Sequence, residues 1–239
     1  LEEGGVKCET AGSVRQGRRV WFLLKGEPFQ VAKADGVIPY VLVSNGHDGL
    51  STFRVTPTTV RVVCSNTLHA VIPSKDGGAL GQSAVSLKHT FNVMDRVAEA
   101  RRALAHYGEA LEETKAVIGI IASKSAKKAD IEAFFLECYT HDFGPVPVNP
   151  GNKAEERRRE KSMSAYNSFS KRFDDDRKIA GVNYWNAFNA YSGLVQHDRK
   201  AYGRKDQDRV EKRVESNLFG LNQDRTFNAI QTAFKYATA

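Results

Sequence analysis

Apolar and polar residues alternate with a period of two over much of residues 8–63, whereas from about residue 90 onward they recur every three to four. The chain thus divides into a strand-forming and a helix-forming part. In the first part CETAGSVR, a turn at Gln16-Gly17 and RRVWFLLK read as a hairpin over 8–25, with Val20, Phe22 and Leu24 on one face and Arg19, Trp21 and Leu23 on the other. A second strand pair, 39–45 and 52–63, flanks Asn45-Gly46-His47-Asp48-Gly49, where Asn-Gly and Asp-Gly tolerate positive φ. Pro57 has no N–H to give a ladder, which predicts a bend or an edge there. Ser65-Asn66-Thr67 offers N-cap oxygens for a short helix through His69 and Ile72, ended by Pro73. The Gly- and Ser-rich segment 73–83 predicts a flexible loop.

From Thr90 to about Ser123 the positions Val97, Ala100, Leu104, Tyr107, Leu111, Thr114, Ile118 and Ile121 form one narrow helical stripe. Such a stripe packs against another helix, in the same chain or in a neighbouring copy. A second helix is predicted over 127–139. FGPVPVNPG (143–151) then breaks the chain and divides residues 1–143 from a helical subdomain, 152–239, either separate or packed with the first as one domain. Three helices follow: 152–178 with Tyr166, Phe169 and Phe173, 182–199 with Trp185, Phe188, Tyr191 and Val195, and 223–237 with Phe227, Ile230, Phe234 and Ala237. Antiparallel hairpins segregated ahead of a mostly helical half define an α+β fold.

With 239 residues and 41% hydrophobic content the chain has enough apolar material for one large core or two small ones. The formal charge of +7 is uneven: 10 Lys and Arg against 7 Asp and Glu in residues 1–90, 7 against 9 in 91–150, and 18 against 12 in 151–239. A basic field favours polyanionic partners. Cys8, Cys64 and Cys138 form no C-x-x-C pair, which points to a reducing, cytoplasmic compartment rather than a disulfide scaffold or zinc site. No run of about 18 apolar residues and no leader pattern predicts a membrane span or secretion. The absence of an initiator Met suggests that an upstream segment is missing.

Arg15, Arg18 and Arg19 surround the first hairpin turn, where guanidinium groups reach phosphates without competing for the core. Trp21, on the face of Arg19, adds the aromatic surface that single-strand binding uses. Solubility at a loop tip is the ordinary alternative. Arg54 and Arg61 lie in Val- and Thr-rich strands, as solvated residues or as a binding platform. Arg199, Lys200, Arg204 and Lys205 bracket Tyr202-Gly203 with little acidic compensation, whereas Arg157, Arg158, Arg159 and Lys161 alternate with Glu155, Glu156 and Glu160 and read as a self-neutralised face. Lys124, Lys127 and Lys128 cluster at a helix junction. The amide stripe Asn186, Asn189, Gly193 and Gln196 reads as packing. His47-Asp48, Asp174-Asp175-Asp176, Cys64, His89, His141 and His197 assemble no metal site or nucleophile from spacing, and no phosphate-binding Gly loop is present, so no cofactor is implied.

Residues 9–24 (ETAGSVRQGRRVWFLL), 39–68, 183–199 (NYWNAFNAYSGLVQHDR) and 215–237 together resemble the phage/plasmid-like protein family, a domain of unknown function carried by phages, prophages and plasmids. Its members usually carry a further N-terminal segment. The resemblance implies a mobile-element context and no established reaction. Hairpins followed by a long helix are also similar, at the level of fold analogy, to the β-β-β-α core of single-strand annealing proteins, which oligomerise on DNA. The expected function is therefore non-enzymatic binding of single-stranded DNA, with the hairpin tip and the 199–205 loop gathered into one groove and annealing or recombination as the outcome. The alternatives are a protein-interaction or host-defence-countering module and a metal-dependent nuclease.

Overall fold

A computed structural model of the protein describes residues 7–32, 35–49, 52–63, 65–69, 71–73, 80–82, 84–87, 107–199 and 205–239. Nine strands precede six helices among them. The strands are β1 (Lys7–Val14), β2 (Arg19–Lys25), β3 (Phe29–Ala32), β4 (Asp35–Gly46), β5 (Phe53–Arg61), β6 (Thr67–His69), β7 (Val71–Pro73), β8 (Leu80–Gln82) and β9 (Val85–Leu87). The helices are α1 (Tyr107–Ser123), α2 (Lys128–Phe143), α3 (Lys153–Ala180), α4 (Tyr184–Gly193), α5 (Asp206–Phe219) and α6 (Leu221–Thr238). A π-helical turn, Leu194–Asp198, extends α4. The α+β reading stands.

The long strands β4 and β5 form the middle of an antiparallel sheet of order β1-β2-β4-β5-β6. On the far edge of β4, β2 pairs residues 40–46 and β3 pairs residues 35–37. On the far edge of β5, β9 pairs residues 53–55 and β6 pairs residues 58–60. Pro57 falls in the break between those two short partners, where a residue without an N–H costs the ladder least.

The short helix expected over 66–72 is replaced by β6 and β7. Ser65 takes φ 53° in a tight turn, closed by Ser65 N–H donating to the Arg61 carbonyl (2.9 Å) and Arg61 N–H to that of Asn66 (3.0 Å). The turn returns the chain along β5, and the Asn66 amide, instead of capping a helix, donates to the carbonyl of Asn189 in α4 (2.8 Å). In the segment read as a loop, β7 and β8 pair as a small second sheet, while 74–79 lie outside the described residues. The stripe of the long helix is described from Tyr107 on. There Thr114, Ile118 and Ile121 are buried, and α1 packs on α4 and α6 of its own chain.

Helix ends follow local chemistry. The Asn152 side chain accepts from Ala154 and Glu155 N–H at 3.0 and 3.1 Å to start α3, and Gly181, at φ 89°, ends it. Phe134 and Phe135 before the 143–151 connection and Phe169, Tyr191 and Ile230 after it share one core, so that connection separates helices within a common packing unit. A smaller core of Leu24, Val41, Val43 and Val55 lies on the sheet against Phe22, Phe53, Val85 and Tyr107. Sheet and helices are tied by a buried polar knot: Arg61 Nε donates to Asp35 (2.7 Å), the Trp185 indole donates to the other Asp35 oxygen (2.7 Å), and Arg61 also holds Asp176 of α3. Among the described residues no helix is long and apolar enough to cross a membrane.

Candidate functional site

The hairpin tip is docked onto α5. Arg15 and Gln16 both take positive φ with Gly17, a turn that carries the Gln16 N–H to Glu211 (3.2 Å) and the Arg15 guanidinium to Glu215, with Asp48 at 3.7 Å. Arg18 is exposed, in a shallow depression whose other walls include Asp208, Glu211, Lys212 and Glu215. Acidic side chains thus offset this cationic tip.

Among the described residues, the hairpin tip and Arg199 lie on opposite sides of α5. Asp208, Glu211 and Glu215 present one side of α5 to the tip. Arg213 and Asn217, on the opposite side of the helix by its 100° step, reach toward the backbone carbonyls of Arg199 and Gln196, at 3.5 Å each. A helix about 10 Å across therefore stands between the hairpin tip and Arg199. Lys200 and Arg204 lie outside the described residues; Lys205 is exposed at the start of α5.

Arg61, expected as part of a platform on the sheet, is 2% exposed and bound to Asp35 and Asp176. It is a structural cation and is corrected as such. Arg19, Trp21 and Arg54 do share one sheet face. The register sets Gly12, Trp21, Ser44, Arg54 and Ser86 in one cross-strand row. The indole lies on Gly12, where a Cβ would come within 2.7 Å of the ring. Trp21 is consequently half-buried, a wall of this face rather than a projecting platform for bases. The Arg19 guanidinium lies 4.6 Å from the centre of the Phe219 ring, and burial lowers its pKa.

A basic concavity lies elsewhere, between the end of α2, the middle of α3 and the π-helical turn after α4. Tyr139, Phe143, Val146, Arg158, Lys161 and Arg199 are among the residues lining this cleft of about 680 Å³. Arg158 and Lys161, with Ala165 and Ser168, are spaced to share one side of α3, and small side chains there make room for the concavity. The pairing expected within the 155–161 run is absent: Glu155 instead accepts from the Gly151 N–H (2.7 Å), and neither Arg158 nor Lys161 meets a carboxylate among the described residues. The Asp198 carboxylate of the cleft is held by Arg172 through two hydrogen bonds, the Nε one at 2.7 Å. Arg199 stacks on Phe143 at 3.9 Å from the ring centre, and Arg225 lies at 4.5 Å.

Behind Phe143 the Asp142 carboxylate is buried. It accepts from the Tyr191 hydroxyl (2.7 Å), pairs with His141 Nδ1 at 2.9 Å and has the Asn228 amide at 3.5 Å. Burial raises the Asp142 pKa, opposed by the hydrogen bonds with His141 and Tyr191 and by the Arg225 charge. Burial also raises the Tyr191 hydroxyl, so it acts as a donor rather than an acid. This cluster anchors α2, α4 and α6 to one another and positions Arg225 under the aromatic floor.

The amide stripe is glue. Gln196 accepts from Thr67 N–H (2.9 Å) and donates to its carbonyl (2.7 Å), fastening β6 to α4, while the Asn186 side chain donates to the Phe173 and Gly181 carbonyls, each at 2.9 Å. Cys8 is exposed and Cys138 buried, its thiol pushed up by desolvation; Cys64 and His89 lie outside the described residues. No group of three His, Cys, Asp or Glu side chains among the described residues is placed to hold a metal ion.

The model of a family described as a domain of unknown function (DUF932) matches residues 1–218, and the chain belongs to that family. No curated protein and no solved structure matches the chain.

Proposed function

We propose that this chain, starting from membership of a family without an assigned activity, binds single-stranded DNA, with the strand's phosphates seated in the cleft between α2, α3 and the end of α4. The observation that carries the reading is the composition of that cleft: Arg158, Lys161 and Arg199 around Tyr139 and Phe143, with its carboxylate, Asp198, already engaged by Arg172. Cations supply the sequence-independent attraction for a backbone, and aromatic or guanidinium planes suit unpaired bases. A role on a phage, prophage or plasmid, inside the host cytoplasm, is part of the proposal and is supported by the sequence blocks quoted above. Annealing of complementary strands by an oligomer is the activity such binding would serve.

The test is anisotropy of a labelled 30-nucleotide strand at two salt concentrations. Three phosphate contacts give a log–log slope of about −2, hence roughly fifteenfold weaker binding at 200 mM than at 50 mM salt. Arg158→Ala/Lys161→Ala should cut the slope to about −0.7, while Arg18→Ala leaves it within error. Equal binding by the double variant and the parent, or none at 50 mM salt, overturns the proposal.

A second reading, a protein-interaction module, is favoured by the groove between α2 and α3 where Leu136 and Met163 are 49% and 58% exposed beside Phe135 and Tyr166. Recovery of a protein partner that Leu136→Lys abolishes, without DNA binding, would select it.

A further inference from the structure

Helix α3 carries charges on its outer face that its own chain leaves without partners. Residues 156–161 are all exposed, and no ion pair joins the charges of that stretch among the described residues. A helical stretch that is polar on every side is supported by i,i+4 pairs or by a neighbouring surface, and this one has no such pairs. Further along, Asp175 is taken by Lys171 and Asp176 by Arg61. Asp174 and Arg177 are exposed and meet no opposite charge among the described residues. Between the two sets of charges lies a groove of about 380 Å³, with Leu136, Met163, Tyr166 and Asn167 among its walls.

By the helical repeat, Glu156, Arg159, Asn167, Ser170, Asp174 and Arg177 all lie within about 40° of the Met163 direction. The buried residues Ser162, Phe169, Phe173 and Ala180 lie about 80–120° round the helix, and Arg158, Lys161 and Ser168 of the basic cleft about 140–160° round. The outer stripe has a charge order that is its own complement. Turned about a two-fold axis between Tyr166 and Asn167, α3 sets Glu156 opposite Arg177 of a second copy, Arg159 opposite Asp174, and Met163 opposite Ser170. Symmetry repeats both charged pairs on the other side of an apolar centre at Met163 and Leu136, over a length of about 32 Å. A parallel overlay of the same residues sets every charge against its like. The exposed Leu136 and Met163 supply the apolar contact, and the charges fix its direction and register.

We infer that two copies of this chain associate through the outer stripe of α3 and the adjoining α2–α3 groove, as a two-fold dimer with the α3 helices antiparallel. The basic cleft lies on the far side of α3 from this contact. The dimer stands whether or not that cleft binds DNA; where it does, a dimer carries two strand sites.

Sedimentation equilibrium of the whole chain tests this. A monomer–dimer equilibrium is expected, weaker at about 1 M salt than at about 0.1 M. Arg159→Glu or Asp174→Arg alone sets like charges together at both ends of the contact and should weaken the dimer about tenfold. The double reversal, Arg159→Glu/Asp174→Arg, should restore the parental affinity to within about threefold. The two positions are about 22 Å apart along one helix, so restoration arises only between chains. Met163→Asp, at the centre, should leave a monomer and decides should a charge variant fail to fold. Arg158→Ala/Lys161→Ala should dimerise as the parent does, which separates a failure here from a failure of DNA binding. A parent that stays monomeric at about 0.3 mM, a double reversal no tighter than the single ones, or parental affinity in Met163→Asp overturns the assignment. So does capture of a different protein in the groove by a chain that remains monomeric.

Discussion

Replacing Asp35 by Asn should unpick the joint between sheet and helices. Asp35 is fully buried, with one oxygen on Arg61 Nε at 2.7 Å and the other on the Trp185 indole N–H at 2.7 Å. The substituted amide would keep the volume, lose the charge, and turn an NH2 group toward one of those two donors. Removing one partner of a buried ion pair costs about 3–5 kcal/mol, because the other charge stays desolvated. Here the lower end applies: Arg61 retains Asp176, whose side chain is 20% exposed. A loss of about 3 kcal/mol lowers the urea midpoint by roughly 1.5 M at a slope near 2 kcal/mol/M. Urea unfolding followed by far-UV circular dichroism reads it. Asp176→Asn, at the wetter end of the same knot, should cost less than half as much. If Asp35→Asn falls within about 1 kcal/mol of the parent, the sheet and the helical half are not held through this carboxylate, and the argument fails.

Burial and the Arg54 charge depress the His69 pKa from 6.5 to about 4. The unfolded chain therefore binds the extra proton first as pH falls: stability is full above about pH 6.5 and declines by roughly 3 kcal/mol by pH 4. His69→Gln should flatten that part of the stability–pH curve, and an unchanged slope would show that another group causes it. Gln196→Ala strips β6 of two backbone partners and leaves the Thr67 N–H and carbonyl to find others. A cost of about 2–3 kcal/mol is expected by urea melt, with early loss of hydrogen-exchange protection at residues 67–69; parental protection there would refute the fastening role.

How far the binding surface could be read without the fold depends on the residue. Arg19 and Trp21 were legible as one face because strand side chains alternate, whereas Arg54 joins that face only through the pairing of β2 with β4 and of β4 with β5. Arg15 was legible as a tip residue, but not its acidic partners some 200 positions later in α5. Arg158 and Lys161 are exposed, as a solvated face requires, but without the pairing expected along the helix. Alternating charges suggest pairing along a helix, whereas the neighbouring α2 and the π-helical turn convert one side of α3 into a cleft wall. Their signal was the run of small residues, Ser164, Ala165 and Ser168, beside the basic pair.

The amino-acid order alone determined the division into a strand half and a helical half, the first hairpin and the helix stripes, because period and turn chemistry act between residues close in the chain. The choice of β6 and β7 over a short helix, the burial of Arg61, the neutralisation of the hairpin tip and the cleft at Arg158 and Arg199 were decided only in three dimensions. Each depends on a desolvation or a charge pairing between segments tens to hundreds of residues apart, and no local rule carries that distance.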